Sequence, residues 1–543
     1  MADLSRNRGT PEHVKLATLA VVVLLAVGCG GDDEVTPDSG AKGDDAAAGP
    51  DAAGCVDPST ADPIEGLLVG RDDFDTSDCD PGTLAGLDPS GLWFVQQDPH
   101  PRFSRGPVRF GLSCEQGIEV GLGGITAPVA ADVAWLNDDE LFWRRAQSFG
   151  MNFDFIDAYL ICKRNADGTL SGRRGTCYVG DFGESCDEQP FTASPFGNLT
   201  GEAPADGFEI VSEFRGGADP WPAGYSADVR VRNGVAYVAN GLDGLRIVDV
   251  SDPAAPAELG HVPAKSDNFN ELKLADAPYI LVASQASGVF VLDVTDPTDP
   301  QQVTRFSPNG DPDHGVHTLF VEPFGGKNYA YLADGGSDNV FVFDVTDPTA
   351  PIDVGTFNLG NEDWGVHALT VVGDRAYINA TYGGLIVADL LPDPSAATIL
   401  GQYQKPDLYA HQNWVTTNSQ GRTVAVYGDE GFGSHLEIVD VDPVSTDFMK
   451  MIGELTLRDQ VSIHDIMVFG DTVYVAHYQD GFRVFDISDA ANPLMEAWFN
   501  TWDPDTAPGS TFEGASGLDV DLSSGLVYLT DTPRGLVILR PTD

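Results

Sequence analysis

The stretch GLRIVDVSDPAAP, Gly244 to Pro256, decides the fold of this chain. It holds a run of apolar residues, an aspartate at the end of that run, and a Ser-Asp-Pro turn. The strand that carries Asp249 is apolar on both faces, the pattern of a strand sandwiched between neighbours rather than lying on a surface. Gly244 at its start and Pro256 at its end fix the flanking turns. The phrase returns as GVFVLDVTDPTDP from Gly288, NVFVFDVTDPTAP from Asn339 and GLIVADLLPDPSA from Gly384. It continues as HLEIVDVDPVSTD from His435 and GFRVFDISDAANP from Gly481, and a truncated copy, GLVILRPTD, starts at Gly535. The aspartate recurs as Asp249, Asp293, Asp344, Asp389, Asp440 and Asp486, at spacings of 44 to 51 residues.

Working outward from the phrase, each copy follows a second short strand, such as VAYVANG, YAYLADG or VYVAHYQ. An earlier strand precedes that one, as in GVHTLFV from Gly315, and a fourth follows the phrase, as in AELGHV from Ala257. Four strands per unit at this period predict a seven-bladed β-propeller over residues 201–543. The seventh unit lacks its fourth strand. FEIVSEF, Phe208 to Phe214, has the character of one and precedes the first unit, so it is expected to pair there and close the ring. The recurrent aspartates are expected to be buried and structural, accepting hydrogen bonds within the turn that follows each of them.

Upstream lies a Cys-rich segment, residues 55–200, in which short β-like runs alternate with Gly, Pro and Asp. YLICKRNADGTLSGRRGTCYVG from Tyr159 reads as a hairpin with Asp167-Gly168 near its turn. Cys55, Cys79, Cys114, Cys162, Cys177 and Cys186 all fall in this segment, an even set that predicts disulfides without choosing their pairing. A small disulfide-stapled β-sandwich or barrel is expected here. The fold class is therefore all-β, a propeller with a smaller N-terminal β domain.

The first 28 residues read as an export signal. Arg6, Arg8 and Lys15 precede an apolar run, Leu16 to Val27, too short to span a bilayer. It ends in LAVGC, which resembles the lipobox of bacterial lipoproteins, with Cys29 the lipidated residue. By the same resemblance, Gly30 after that cysteine implies the outer membrane or cell surface. Residues 29–54 are acidic and nearly free of large apolar side chains, which makes them a flexible linker rather than a packed element. The chain carries 83 acidic against 30 basic residues, a formal charge of −53. Such a field disfavours nucleic acid and anionic lipid as partners. The expected partners are the membrane, through the lipid anchor, and an extracellular protein or glycan met by a monomer.

Chemistry in the sequence is concentrated before the repeated phrase. Four units place a histidine at one register, at the start of the first strand: His317, His367, His411 and His464, with Asn270 in that place in the second unit. First strands line a propeller's central channel. Loops after the second strands are expected at the same mouth and carry Asp334, Asp429, Glu430, His477 and Asp531. His314, Asp363 and Asp465 lie close in sequence, as do the aromatic residues Trp364, Tyr382, Trp414, Phe432 and Tyr478. Two roles follow from such a set. The histidines bind a neighbouring blade, or they form a channel-mouth site for a ligand or a divalent metal. Zinc suits imidazole with carboxylate, whereas calcium asks for oxygen donors alone. Channel width is the objection to a single ion. Nucleophile-elbow, phosphate-loop, dinucleotide and HExxH motifs are absent, so a binding platform is expected before an enzyme. The alternative is a metal-dependent hydrolase or lyase.

The phrases GLRIVDVSDP and GVFVLDVTDP resemble the LVIVD repeat family of exported bacterial propellers, over about Ser226 to Asp543. The run YAHQNW from Tyr409, followed by VYGDE ending at Glu430, is similar to the choice-of-anchor B group of such proteins. The resemblance implies a propeller at the cell surface or outside the cell, and no particular reaction.

Overall fold

The computed structural model describes residues 71–88, 91–97, 105–110, 118–119, 133–148, 154–180, 183–216, 221, 226–405, 409–431, 436–507, 509 and 512–542. The export signal with Cys29, the acidic linker, Cys55, Cys114 and Phe432 lie outside these residues. The chain divides into two compact units, one of Met1–Ser90 with Phe110–Phe191, the other of Gly91–Arg109 with Thr192–Asp543.

In the first unit, Val133–Leu136, Leu141–Ser148, Asp154–Arg164 and Leu170–Gly180 pair in succession as an antiparallel meander. The expected hairpin turns at Asn165–Thr169, where the Asn165 N–H donates to the Thr169 carbonyl at 2.8 Å. Gly168 there has φ +89°, a conformation that glycine adopts without steric cost. Disulfides join Cys79 to Cys162 and Cys177 to Cys186. Both pairs border a core of Phe74, Phe142, Ile156 and Leu160. Closing the 83-residue separation between Cys79 and Cys162 restricts the unfolded chain, which stabilises a unit whose apolar core is small.

Among its described residues, the second unit contains seven antiparallel sheets of four or five strands. Their first strands are Asp228–Arg232, Phe269–Leu274, Thr318–Phe324, Ala368–Val372, Ala410–Thr417, Asp465–Phe469 and Ala515–Asp521, taken here as blades one to seven. Each first strand packs against that of the next blade, and Ala515–Asp521 packs back on Asp228–Arg232, so the sheets form a ring. Phe208–Phe214 supplies the outer strand of blade seven, running antiparallel to Gly535–Pro541 from Phe208 opposite Pro541 to Phe214 opposite Leu536. The two ends of the propeller segment thus share one sheet.

The repeated phrase is the third strand of its blade. Gly244–Asp249 is buried through Val248, because both faces meet neighbouring blades. Leu245 and Ile247 pack with Phe269, Leu272 and Ile280 of blade two. Each such aliphatic side chain contributes about 1.5–3 kcal/mol when fully buried. Gly244 has φ +114°, and a Cβ there would overlap the Val262 carbonyl oxygen. Asp249, Asp293, Asp344 and Asp486 each accept the N–H two residues on, at 2.9, 2.8, 3.0 and 2.9 Å. That is the expected structural role, with one difference: Asp249, Asp293, Asp389 and Asp486 are only partly buried, since the turn carries them towards solvent, while Asp344 and Asp440 are buried.

Candidate functional site

At the first strands of blades six, seven, one and two, a carboxylate ties each blade to the next. Asp465 accepts the Leu518 N–H at 3.0 Å, Asp519 the Val231 N–H at 2.6 Å, Asp228 the Leu272 N–H at 3.0 Å and Glu271 the Leu319 N–H at 2.6 Å. Arg230 lies among them, 2.8 Å from Asp228. Burial alone would lower its pKa, yet Asp228, Asp465, Asp519 and Glu271 together hold it above its ordinary value. Apart from Asp465, sequence reasoning missed this arc. Its signal was present as an acidic residue beside an apolar one in four first strands: Asp228-Val, Glu271-Leu, Asp465-Ile and Asp519-Val.

The other arc of the channel is imidazole. His317, His367 and His464 stand immediately before their first strands, and His411 is the second residue of its own. Ring centroids are 4.3 Å apart from His317 to His367, 4.3 Å from His367 to His411, and 4.8 Å from His411 to His464. Channel width, the objection raised to a single ion, does not hold neighbouring histidines apart. First strands converge towards the ring axis, so side chains at equal register come into contact. All four histidines line one cavity of ≈ 40 Å³ with Asp228, Arg230, Glu271 and Asp465.

The register position also stitches blades together. The Asn270 amide donates to the His317 carbonyl at 2.9 Å, His367 Nδ1 lies 3.2 Å from the His411 carbonyl, and His464 Nδ1 lies 2.7 Å from the Ser516 carbonyl. Ser516 Oγ continues the pattern to the Ser226 carbonyl. A carbonyl only accepts, so Nδ1 of His367 and His464 carries the proton and Nε2 is left as the basic nitrogen. The His411 ring lies beside the His464 carbonyl, but its Nδ1 makes no well-formed hydrogen bond among the described residues. Burial keeps the set neutral. It lowers His317 to about 4, with His464 adding to the effect and Asp334 opposing it. Burial likewise pushes His367 and His411 well below the usual imidazole value, reinforced by their neighbouring histidines. His464 is lowered by burial against the opposing pull of Asp465.

Of the predicted loop residues, Glu430 joins this arc. Its Oε2 is 3.7 Å from His411 Nε2, and its Oε1 accepts the Tyr478 hydroxyl at 2.7 Å. Burial raises its pKa to about 7, the Tyr478 hydrogen bond pulls it down, and Asp429 pushes it up. One ligand atom each from His367, His411 and Glu430 lies within 4.8 Å of the others. Bonds of about 2.1 Å to a tetrahedral zinc put ligand atoms roughly 3.3–3.5 Å apart, so about an ångström of side-chain movement closes the set. Glu430 is the least buried of the three.

The remaining predicted residues are placed elsewhere. Asp334 accepts His314 Nε2 at 3.1 Å and the Ser337 hydroxyl at 2.7 Å. Asp429 accepts the N–H groups of Tyr409 and Gly431 at 2.8 and 2.6 Å. Both carboxylates are taken up by their own turns and by the segment that precedes the first strand of the same blade. His477 faces Asp480 and is surrounded by Arg458 and Arg483, with burial lowering it to about 4. Its backbone N–H closes a tight turn on the Gly481 carbonyl, and His477 is not among the residues that line the channel cavity. Asp531, raised to about 6 by burial, faces Thr501 and Arg534. Trp414 packs between blades five and six against Phe469, not at the rim. Trp364 is half-buried against the core of blades three and four, and Tyr382 is exposed with its ring 5.6 Å from Tyr409. Asp363 is an exposed turn residue.

The LVIVD repeat family model matches residues 223–263, 326–359 and 462–501, which fall on blades one, three and six. No curated protein matches the sequence. Among solved structures, the chain is similar to the computationally designed Ika8 protein, at 11% identity and a TM-score of 0.42, over 61% of this chain and 99% of that one. It is also similar to the Cps50 (Swd1) beta-propeller domain of Myceliophteria thermophila, at 14% identity and a TM-score of 0.42, over 62% and 100% of the two chains.

Proposed function

We propose that this LVIVD-repeat β-propeller is an exported, lipid-anchored binding protein whose channel mouth holds a divalent transition-metal ion on His367, His411 and Glu430. The observation that carries the reading is the approach of these three ligand atoms to within 4.8 Å. Two features support it. The imidazoles are held neutral, as metal ligation requires, and the carbonyl partner of His367 Nδ1 presents Nε2 as the donor. Two nitrogens and one carboxylate suit zinc and its neighbours rather than calcium, which takes oxygen donors. The metal and the exposed Tyr382 nearby then form a platform for an extracellular protein or glycan. Metal content after dialysis against zinc tests the reading. One zinc per chain is expected, falling below a tenth of that in a His367→Ala/His411→Ala double variant, and equal content in both proteins would refute it. The anchor is tested by fractionation: Cys29→Ser is expected to release the protein from membranes, and a variant that stays bound would remove the lipid from the account.

A second reading, a metal-dependent hydrolase or lyase, is favoured by one observation. The cavity beside the histidines, ≈ 40 Å³, has room for water. Three protein ligands leave a position at which a metal lowers the pKa of bound water. Zinc-dependent hydrolysis of chromogenic ester and phosphoester substrates, lost in Glu430→Gln, would establish it, and a zinc-loaded protein inert to the whole panel would count against it.

A further inference from the structure

Tyr478 sits in the turn between the second and third strands of blade six with φ +36°, a left-handed conformation that is costly for a bulky residue. There it forms an isolated bridge with Ala515 of blade seven. Equivalent bridges join Gly241 to Phe269 and Thr381 to Ala410. Both of those turn residues also have positive φ, +52° and +35°. Blade one meets the requirement with glycine. Blade six places a fully buried tyrosine there instead. Its ring packs against His464 at 5.2 Å and Phe512 at 5.1 Å, and its hydroxyl donates to Glu430 Oε1 at 2.7 Å. The other carboxylate oxygen, Oε2, is the one that faces His411 Nε2.

We infer that Tyr478 is a positioning residue that holds Glu430 as a one-oxygen ligand, so that a metal ion on His367, His411 and Glu430 keeps a coordination position open for a small exogenous oxygen or nitrogen donor in the channel. The inference rests on the metal-binding reading above. A carboxylate oxygen engaged by a phenol is a poorer second ligand, and a bidentate carboxylate would close the site. One-oxygen ligation suits a four-coordinate ion, whereas the larger, oxygen-seeking ions favour both oxygens. His317 and His464 line the channel cavity together with His367 and His411. Hydrogen-bond partners of this kind typically change metal affinity 10–100-fold when removed.

The test uses the full chain loaded with cobalt(II), whose visible absorption reports coordination number, with sodium azide as the exogenous donor. In the wild type an intense four-coordinate spectrum is expected, and it should shift on addition of azide. Tyr478→Phe keeps the packed ring and removes only the hydroxyl. It is expected to bind cobalt about 10–100-fold more weakly, with a paler spectrum of higher coordination and no azide response, while the metal-free protein melts within a few degrees of the wild type. Tyr478→Gly, matched to Gly241, relaxes the backbone and is expected to show the same loss. A wild type that binds cobalt, alongside a Tyr478→Phe variant with unchanged affinity, spectrum and azide response, would overturn this inference alone. A wild type that takes up no cobalt would overturn the metal reading, and this inference with it.

Discussion

His317 shows what one residue at the channel register contributes. Its imidazole is held neutral down to about pH 4 by burial, while the unfolded chain takes up a proton near pH 6.5. Between those values the native state binds fewer protons than the unfolded state, so stability rises with pH and is lost as pH falls from 6.5 towards 4. His317→Asn, which copies the residue of blade two, removes this dependence. On going from pH 7.5 to pH 5, the wild type is expected to lose about 1–2 kcal/mol relative to the variant, the modest figure reflecting the partial exposure of the ring. Urea unfolding at the two pH values measures it, and parallel losses in both proteins would show that His317 does not titrate as described. The histidine register was legible in the sequence because a repeat forces equal positions onto equal places. Ring contact at 4.3 Å was not, because distance across a channel depends on how steeply the first strands converge. Nor was the choice of Glu430 over Asp429 legible. The two are adjacent in sequence, and only the turn geometry shows that backbone N–H groups engage one carboxylate while the other reaches His411.

Strands carry the next level of the account. The third strand of each blade was readable from its repeated, mainly apolar phrase, and the closing strand from its place before the first complete unit. Phe208–Phe214 pairs with Gly535–Pro541 as that reading required. Its Phe208 and Phe214 rings add edge contacts to Phe482 and Trp221, at 5.0 and 5.8 Å. Deleting residues 208–214 exposes the outer edge of Gly535–Pro541. A fall of about 10 °C in melting temperature is expected, with concentration-dependent association in sedimentation velocity. An unchanged melting temperature and a clean monomer would show that the ring holds without its closure. The first-strand carboxylates were harder to read. An acidic residue in a strand looks like a solvent-facing position until the neighbouring blade is in place to donate its N–H. The same difficulty applies to Asp249, which sequence pattern put at a buried position and which stands half-buried at the end of its strand.

For the whole molecule, a ring of like units creates a site that no unit holds alone. Blades six, seven, one and two contribute carboxylates and Arg230, and blades three to six contribute imidazoles, so the channel has a carboxylate and guanidinium arc and an imidazole arc. The family model matches segments on three blades, while His367 stands on blade four, and His411 and Glu430 on blade five, outside those segments. An acidic chain with a formal charge of −53 also favours the approach of cations over anions to that mouth. The most direct test is a crystal of the full chain soaked in zinc, with diffraction collected on both sides of the zinc absorption edge. The account predicts one strong anomalous peak within about 2.3 Å of His367 Nε2, His411 Nε2 and a Glu430 carboxylate oxygen. A zinc-soaked crystal with no anomalous peak at these three side chains would contradict it.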